Sequence, residues 1–181
     1  MPPASGATLQ YHRIQRDPDD VNVWGVNFGV TDWLEAGGSR IDISGDGSKT
    51  IGNLKLRVPA AKLLDNPVFP EVAVGVFDVT NEINRALYVV LSKSFALEQS
   101  GYLPRINLHL GFADNKSNDG AMDGIFGGLE FNAMKFGIVQ AEWDGDAFNA
   151  DLRLNAGDHF SLDVGFLDSD LGYGATYKSQ F

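Results

Sequence analysis

Apolar side chains recur at every second position along most of this chain, in segments of about nine to eleven residues, and that period limits the fold more than any other feature. Successive side chains of a strand point to opposite faces. Trp24, Val26, Phe28 and Val30 therefore share one face, as do Ile106, Leu108, Leu110 and Phe112. The same holds for Phe148, Ala150, Leu152 and Leu154, for Phe160, Leu162, Val164 and Phe166, and for Tyr173, Ala175, Tyr177 and Phe181. The interleaved positions are small or polar: Asn107, His109 and Gly111; Gly128, Glu130 and Asn132; Asn149, Asp151 and Arg153; Ser161, Asp163 and Gly165. About twelve strands are expected, over 8–14, 21–30, 33–43, 50–58, 71–79, 83–94, 104–113, 123–132, 135–143, 147–155, 158–167 and 172–181. Only Pro59 to Pro70 offers a short helical turn. No linker or composition break divides the chain, so residues 1–181 are expected to form one β domain, with 1–7 a disordered N-terminal tail.

A net charge of -10, with the 14 basic residues scattered, argues against nucleic acid as a partner, because phosphate binding depends on clustered Lys and Arg. There is no cysteine, and His12, His109 and His159 lie far apart, so neither a disulfide framework nor a metal site is expected, and no cofactor. The start Met1-Pro-Pro-Ala-Ser has no charged segment and no apolar run of the secretory kind, so no export signal is read in this chain. No uninterrupted run of about 18 apolar residues provides a transmembrane helix. A barrel, however, hides its apolar face by alternation.

The aromatic positions separate a soluble sandwich from a membrane barrel. With consecutive strands antiparallel, Phe131, Phe160 and Phe181 fall at one end, and Phe112, Phe148, Phe166 and Tyr173 fall at the other with Trp143 nearby. Rings at both lipid interfaces form the girdles of an outer-membrane barrel, whereas sandwich cores bury rings mid-strand. The last strand carries Tyr173, Tyr177 and a terminal Phe181 on one face, which looks like the C-terminal signal read by the barrel-assembly machinery of Gram-negative outer membranes. Opposite the apolar stripe, Glu130, Glu142, Asp151 and Asp163 alternate inward beside Arg153 and Lys178, so a charged lumen is expected. Buried carboxylates need partners or water. Such a lumen is either an ion- or sugar-selective passage or, the plainer reading, a salt-bridged and largely blocked interior.

Several segments resemble a known family. Pro70-Glu-Val-Ala-Val-Gly-Val-Phe-Asp-Val79 followed by Tyr88-Val-Val-Leu-Ser-Lys-Ser-Phe95 is similar to paired strands of YjbH-type outer-membrane proteins. So are Gly124-Ile-Phe-Gly-Gly-Leu-Glu-Phe131, the stretch from Ala141 to Leu154, and the hairpin from Gly25 to Gly37. The likeness is patchy and covers roughly residues 20 to 155. It implies a bacterial outer-membrane barrel tied to export of exopolysaccharide or capsule, or to envelope structure, with polysaccharide or export components as partners.

Three sharper readings carry less. His159 and Ser161 echo the pair by which an outer-membrane phospholipase activates its serine, but that enzyme's surrounding pattern is missing. Asp42-Ile-Ser-Gly-Asp-Gly47 echoes a calcium loop, yet Asn53 stands at its twelfth position. Asp114, Asp119, Asp123, Asp144, Asp146, Asp168 and Asp170 make one end acidic, as soluble turns usually are. The expectation is therefore an all-β, antiparallel, up-and-down transmembrane barrel, non-enzymatic, with the lipid bilayer as its main partner. The rival is a water-soluble barrel or sandwich holding a small apolar ligand, which would place the Phe/Leu/Val stripe inside.

Overall fold

The computed structural model describes residues 6–66, 68–97, 104–115, 123–134 and 136–180. Twelve strands follow one another: β1 (Gly6–Gln15), β2 (Val21–Gly29), β3 (Leu34–Ile43), β4 (Gly47–Val58), β5 (Glu71–Phe77), β6 (Ala86–Ala96), β7 (Arg105–Asn115), β8 (Gly124–Met134), β9 (Gly137–Trp143), β10 (Phe148–Ala156), β11 (Phe160–Leu167) and β12 (Asp170–Gln180). Each pairs antiparallel with its sequence neighbours, and β12 pairs with β1 from Gly6↔Gln180 to Gln15↔Leu171, closing an up-and-down barrel. Closure gives every strand a hydrogen-bonded neighbour on both sides. One short helix, α1 (Ala60–Leu63), occupies the connection where a helical turn was expected. Gly6 and Ala7, assigned by sequence to a tail, pair with Gly29 and Phe28 as the start of β1, while residues 1–5 lie outside the described set.

The strands match the period-two segments because each registers its polar row against its neighbour's polar row. Arg153 faces Asp163, Ser161 faces Thr176, and Thr176 faces Gln10. β4 starts three residues earlier than expected, since Gly47–Thr50 pair with Arg40–Ile43 in a hairpin whose outer face is polar and so leaves no apolar alternation to read. The two-residue connection from Leu167 to Asp170 uses Asp168 and Ser169 at positive φ, the twist that matches a tight antiparallel hairpin.

One connection carries its own clamp. Asp78 is 0% exposed, and its carboxylate accepts the Thr80 hydroxyl at 2.7 Å and the N–H groups of Glu82, Ile83 and Asn84 at 3.1, 2.7 and 2.9 Å. Burial pushes this carboxyl up, but the Thr80, Ile83, Glu82 and Asn84 donors outweigh it, and its pKa lies below the ordinary value. A depressed folded pKa stabilises above the unfolded carboxylate value and is lost as pH falls through the folded one. Asp78→Asn should thus cost about 2 kcal/mol at neutral pH and flatten the loss of stability below about pH 4. Urea unfolding at several pH values checks both, and a variant as stable and as acid-sensitive as the parent contradicts them.

Candidate functional site

The wall separates two chemistries. On β11, Ser161 and Asp163 are 3% and 8% exposed, while Leu162 and Phe166 are 48% and 58% exposed on the outside. The register carries this polarity around the ring. Leu154, Leu162 and Ala175 share an outer row, as do Leu87, Val76 and Leu54. Large apolar side chains of every strand except β3 are exposed among such positions, Val74 of β5 at 40% included. The barrel is inside-out relative to a water-soluble domain.

Rings cluster at the two rims of this outer face. At the end where β1 and β3 finish stand Tyr11, Trp24, Phe112, Trp143, Phe148, Phe166 and Tyr173, with Phe148 directly opposite Trp143. At the other end stand Phe28, Phe95, Phe131, Phe160 and Tyr177, with Phe160 opposite Tyr177. Tyr11 packs on Trp24 at 4.3 Å between ring centres and donates its hydroxyl to Asn22 at 2.9 Å, so its polar tip points away from the apolar band. From Trp24 outward the wall turns polar, through Asn22, Arg40 and Asp42, the last two ion-paired at 3.0 Å. Phe181 lies outside the described residues. Tyr173 and Tyr177 are on the outer face of β12.

The lumen is lined by the interleaved residues. Arg153 Nε donates to Asp163 Oδ1 at 2.6 Å. Glu130 accepts the Asn107 amide and the Gln140 amide, each at 2.9 Å, and Ser94 donates to Asn107 at 2.7 Å, so a polar chain crosses from β6 to β9. Ser92 and His109 Nδ1 meet at 2.8 Å. Glu142 lies opposite Asn149, and Asp151 opposite Gln140 and Gly165. Glu130, Glu142, Asp151, Arg153 and Asp163 all border one cavity of about 320 Å³. Lys178 does not join them. It sits exposed near the end of β12, opposite Thr8.

Glycines set the shape of this interior. The 21 glycines exceed the ~13 of an average chain this long, and several face the lumen directly opposite a bulky partner. A Cβ at Gly75 would lie 2.4 Å from the Tyr88 ring, one at Gly111 2.2 Å from Phe126, and one at Gly174 2.2 Å from His12. Each large side chain lies flat on the wall over its glycine instead of filling the bore. Sequence alone showed the glycines but not their partners, because the pairing depends on register.

The sharper readings find no geometry. Ser161 is buried on the inner wall, whereas His159 is exposed and its Nδ1 meets the Lys178 carbonyl oxygen at 2.9 Å, so the two form no nucleophile–base pair. Ser44 to Asp46 make the β3–β4 turn. Among the described residues no three His, Asp or Glu side chains converge to hold a metal ion. The acidic end has internal uses: Asp144 accepts the N–H groups of Asp146 and Ala147 and the Asn149 amide, and Asp170 pairs with Arg16 at 2.7 Å. Burial pushes the Asp144 carboxyl up, but those donors hold it below its ordinary value. Asp119 lies outside the described residues.

Fold and lumen together define a closed twelve-stranded up-and-down β-barrel with a polar, charged interior and an apolar outer face. No family model matches the chain, and no curated protein is significantly similar to it.

Proposed function

We propose that this chain is a bilayer-spanning β-barrel of the Gram-negative outer membrane, without enzymatic activity. The observation that carries the reading is the reversed polarity of the wall, with Leu162, Val164 and Phe166 outside and Ser161, Asp163 and Gly165 inside. The outer row of β6 from Leu87 to Phe95, apolar except at Lys93, spans about 26 Å along the strand at ~3.3 Å per residue, or about 20 Å along the axis at a tilt of ~40°. Twelve strands ~4.8 Å apart at that tilt close a cylinder about 24 Å across, so the belt presents on the order of 1,500 Å² of apolar wall. A monomeric soluble protein rarely exposes more than ~600 Å² in one patch. A partner protein would cover one side of such a belt, whereas lipid covers it all the way round. Closed barrels are also among the few structures that satisfy every backbone group in lipid.

The ring-lined rims support the same reading, since Tyr and Trp favour the lipid–water interface. A soluble barrel holding an apolar ligand would need Leu162 and Val164 inside, and they face out. The segments similar to YjbH-type proteins extend the proposal to exopolysaccharide export or envelope structure, with Tyr173 and Tyr177 on β12 supporting entry through the barrel-assembly machinery. Purification tests the membrane reading. The folded chain should require detergent and migrate differently on a gel before and after heating, and a monodisperse folded chain in plain buffer would refute it.

A further inference from the structure

We propose that the lumen is a passage for small cations, selected by a carboxylate wall on β8–β11; the inference rests on the bilayer-spanning reading. Glu130, Glu142, Asp151 and Asp163 point inward from these strands against a single basic side chain of the same strands, Arg153, and all of them border the same cavity of about 320 Å³, which Arg13 of β1, ion-paired with Asp20, also borders. That wall keeps a negative excess after internal pairing. On the facing strand β4, Lys55 lies opposite Glu35 of β3 and Arg57 stands 3.9 Å from Glu71 of β5, which leaves Lys49, towards the β3–β4 hairpin, as that strand's inward positive charge. β4 and β10 lie six places apart in the ring of twelve, which puts Lys55 and Asp151 on opposite walls. A mobile ion in the lumen therefore meets a field directed across the bore towards β10.

Unsatisfied acceptors point to the sign of the ion. Asp163 uses one oxygen for Arg153, while its Oδ2 has no hydrogen-bond partner although the side chain is 8% exposed. Gln140 Oε1, bordering the same cavity, is likewise buried without a partner. Buried acceptors without donors are costly, and a cation or the water it carries supplies what these two lack. Among the described residues no three acidic or imidazole groups converge as metal ligands. Occupancy is then weak, which conduction requires, because an ion must leave as readily as it enters.

The route extends beyond the first cavity. A second space of about 450 Å³ is lined by Glu35, Lys55, Arg57, Ser92 and Asn107, and His109 borders both spaces. Inward side chains narrow the ~24 Å cylinder to these two spaces, which suit alkali ions and small ammonium ions and exclude folded polymers.

Planar bilayers carrying the full chain, under a KCl gradient, test the inference. Potassium should permeate about five times more readily than chloride, as a negative lumen potential of about 0.8 kT per unit charge implies, because the two ions partition by the exponential of twice that value. Glu142→Gln with Asp151→Asn should bring that ratio towards one while the heat-modifiable gel band persists, and Lys55→Gln should raise it. Inserted, heat-modifiable barrels that carry no current would overturn the passage, as would a chloride preference or a ratio unchanged in the double variant. A chain that never inserts would overturn the bilayer reading itself.

Discussion

Leu162→Arg should destabilise the barrel in lipid vesicles by about 2–4 kcal/mol, the cost of a cationic side chain facing the acyl chains near mid-bilayer. Leu162 is 48% exposed, lies between Phe160 and Val164 on the outer row, and stands opposite Leu154 and Ala175 on the neighbouring strands. On a water-facing surface the same change would fall within about 0.5 kcal/mol and improve solubility. Ser48→Arg is the internal control. Ser48 faces outward, but beside Asp42 in the polar hairpin beyond Trp24, where an arginine meets water. Urea titration of both variants in vesicles gives the comparison, and equal midpoints would mean that Leu162 is not against lipid.

A comparable loss is expected from the smallest possible change inside the wall. At Gly165 a Cβ would lie 2.3 Å from the Ala150 carbonyl oxygen and 2.6 Å from the Asp151 Cα. Both are backbone atoms, so no side chain can swing aside and β10 must move away from β11. Gly165→Ala should cost about 3 kcal/mol, at the upper end of overpacking penalties. Gly128→Ala is the matched comparison, because its Cβ would meet only the Ala141 carbonyl oxygen at 3.5 Å, an ordinary contact. That variant should stay within about 0.5 kcal/mol of the parent. If the two alanines cost the same, the close approach of β10 and β11 is not what fixes glycine at 165.

The faces of the strands were legible in the sequence because a period of two has only two phases, and an apolar stripe selects one of them. Phe160, Leu162 and Val164 could be grouped without knowing any partner strand. The inner pairs could not. That Asp163 meets Arg153, or that Tyr88 lies over Gly75, depends on register, and interchangeable Leu and Val on the outer face leave register unspecified. Lys178 was grouped with the lumen charges by its phase alone, but phase says nothing about depth, and its place near the end of β12 leaves it at the mouth. The outer girdle was read only in part. Tyr11, Trp24 and Phe95 carried the same alternation as Phe160 and belong with it. Arg40 and Asp42 held a further unread signal, since polar residues on an otherwise apolar phase mark where the apolar belt ends. The Asp78 clamp gave no pattern, being built from backbone donors of a connection.

Because the chain has no cysteine, single cysteines can be introduced and spin-labelled without background. Labels at Ser161, Leu162, Asp163 and Val164 in vesicle-reconstituted protein would report directly which medium each face meets. Labels at 162 and 164 should relax with oxygen, which concentrates in acyl chains, and labels at 161 and 163 with a water-soluble nickel chelate, alternating residue by residue along β11. Nickel access at 162 and 164 equal to that at 161 and 163 would mean that water bathes the outer wall, and the account of a lipid-facing barrel would be wrong.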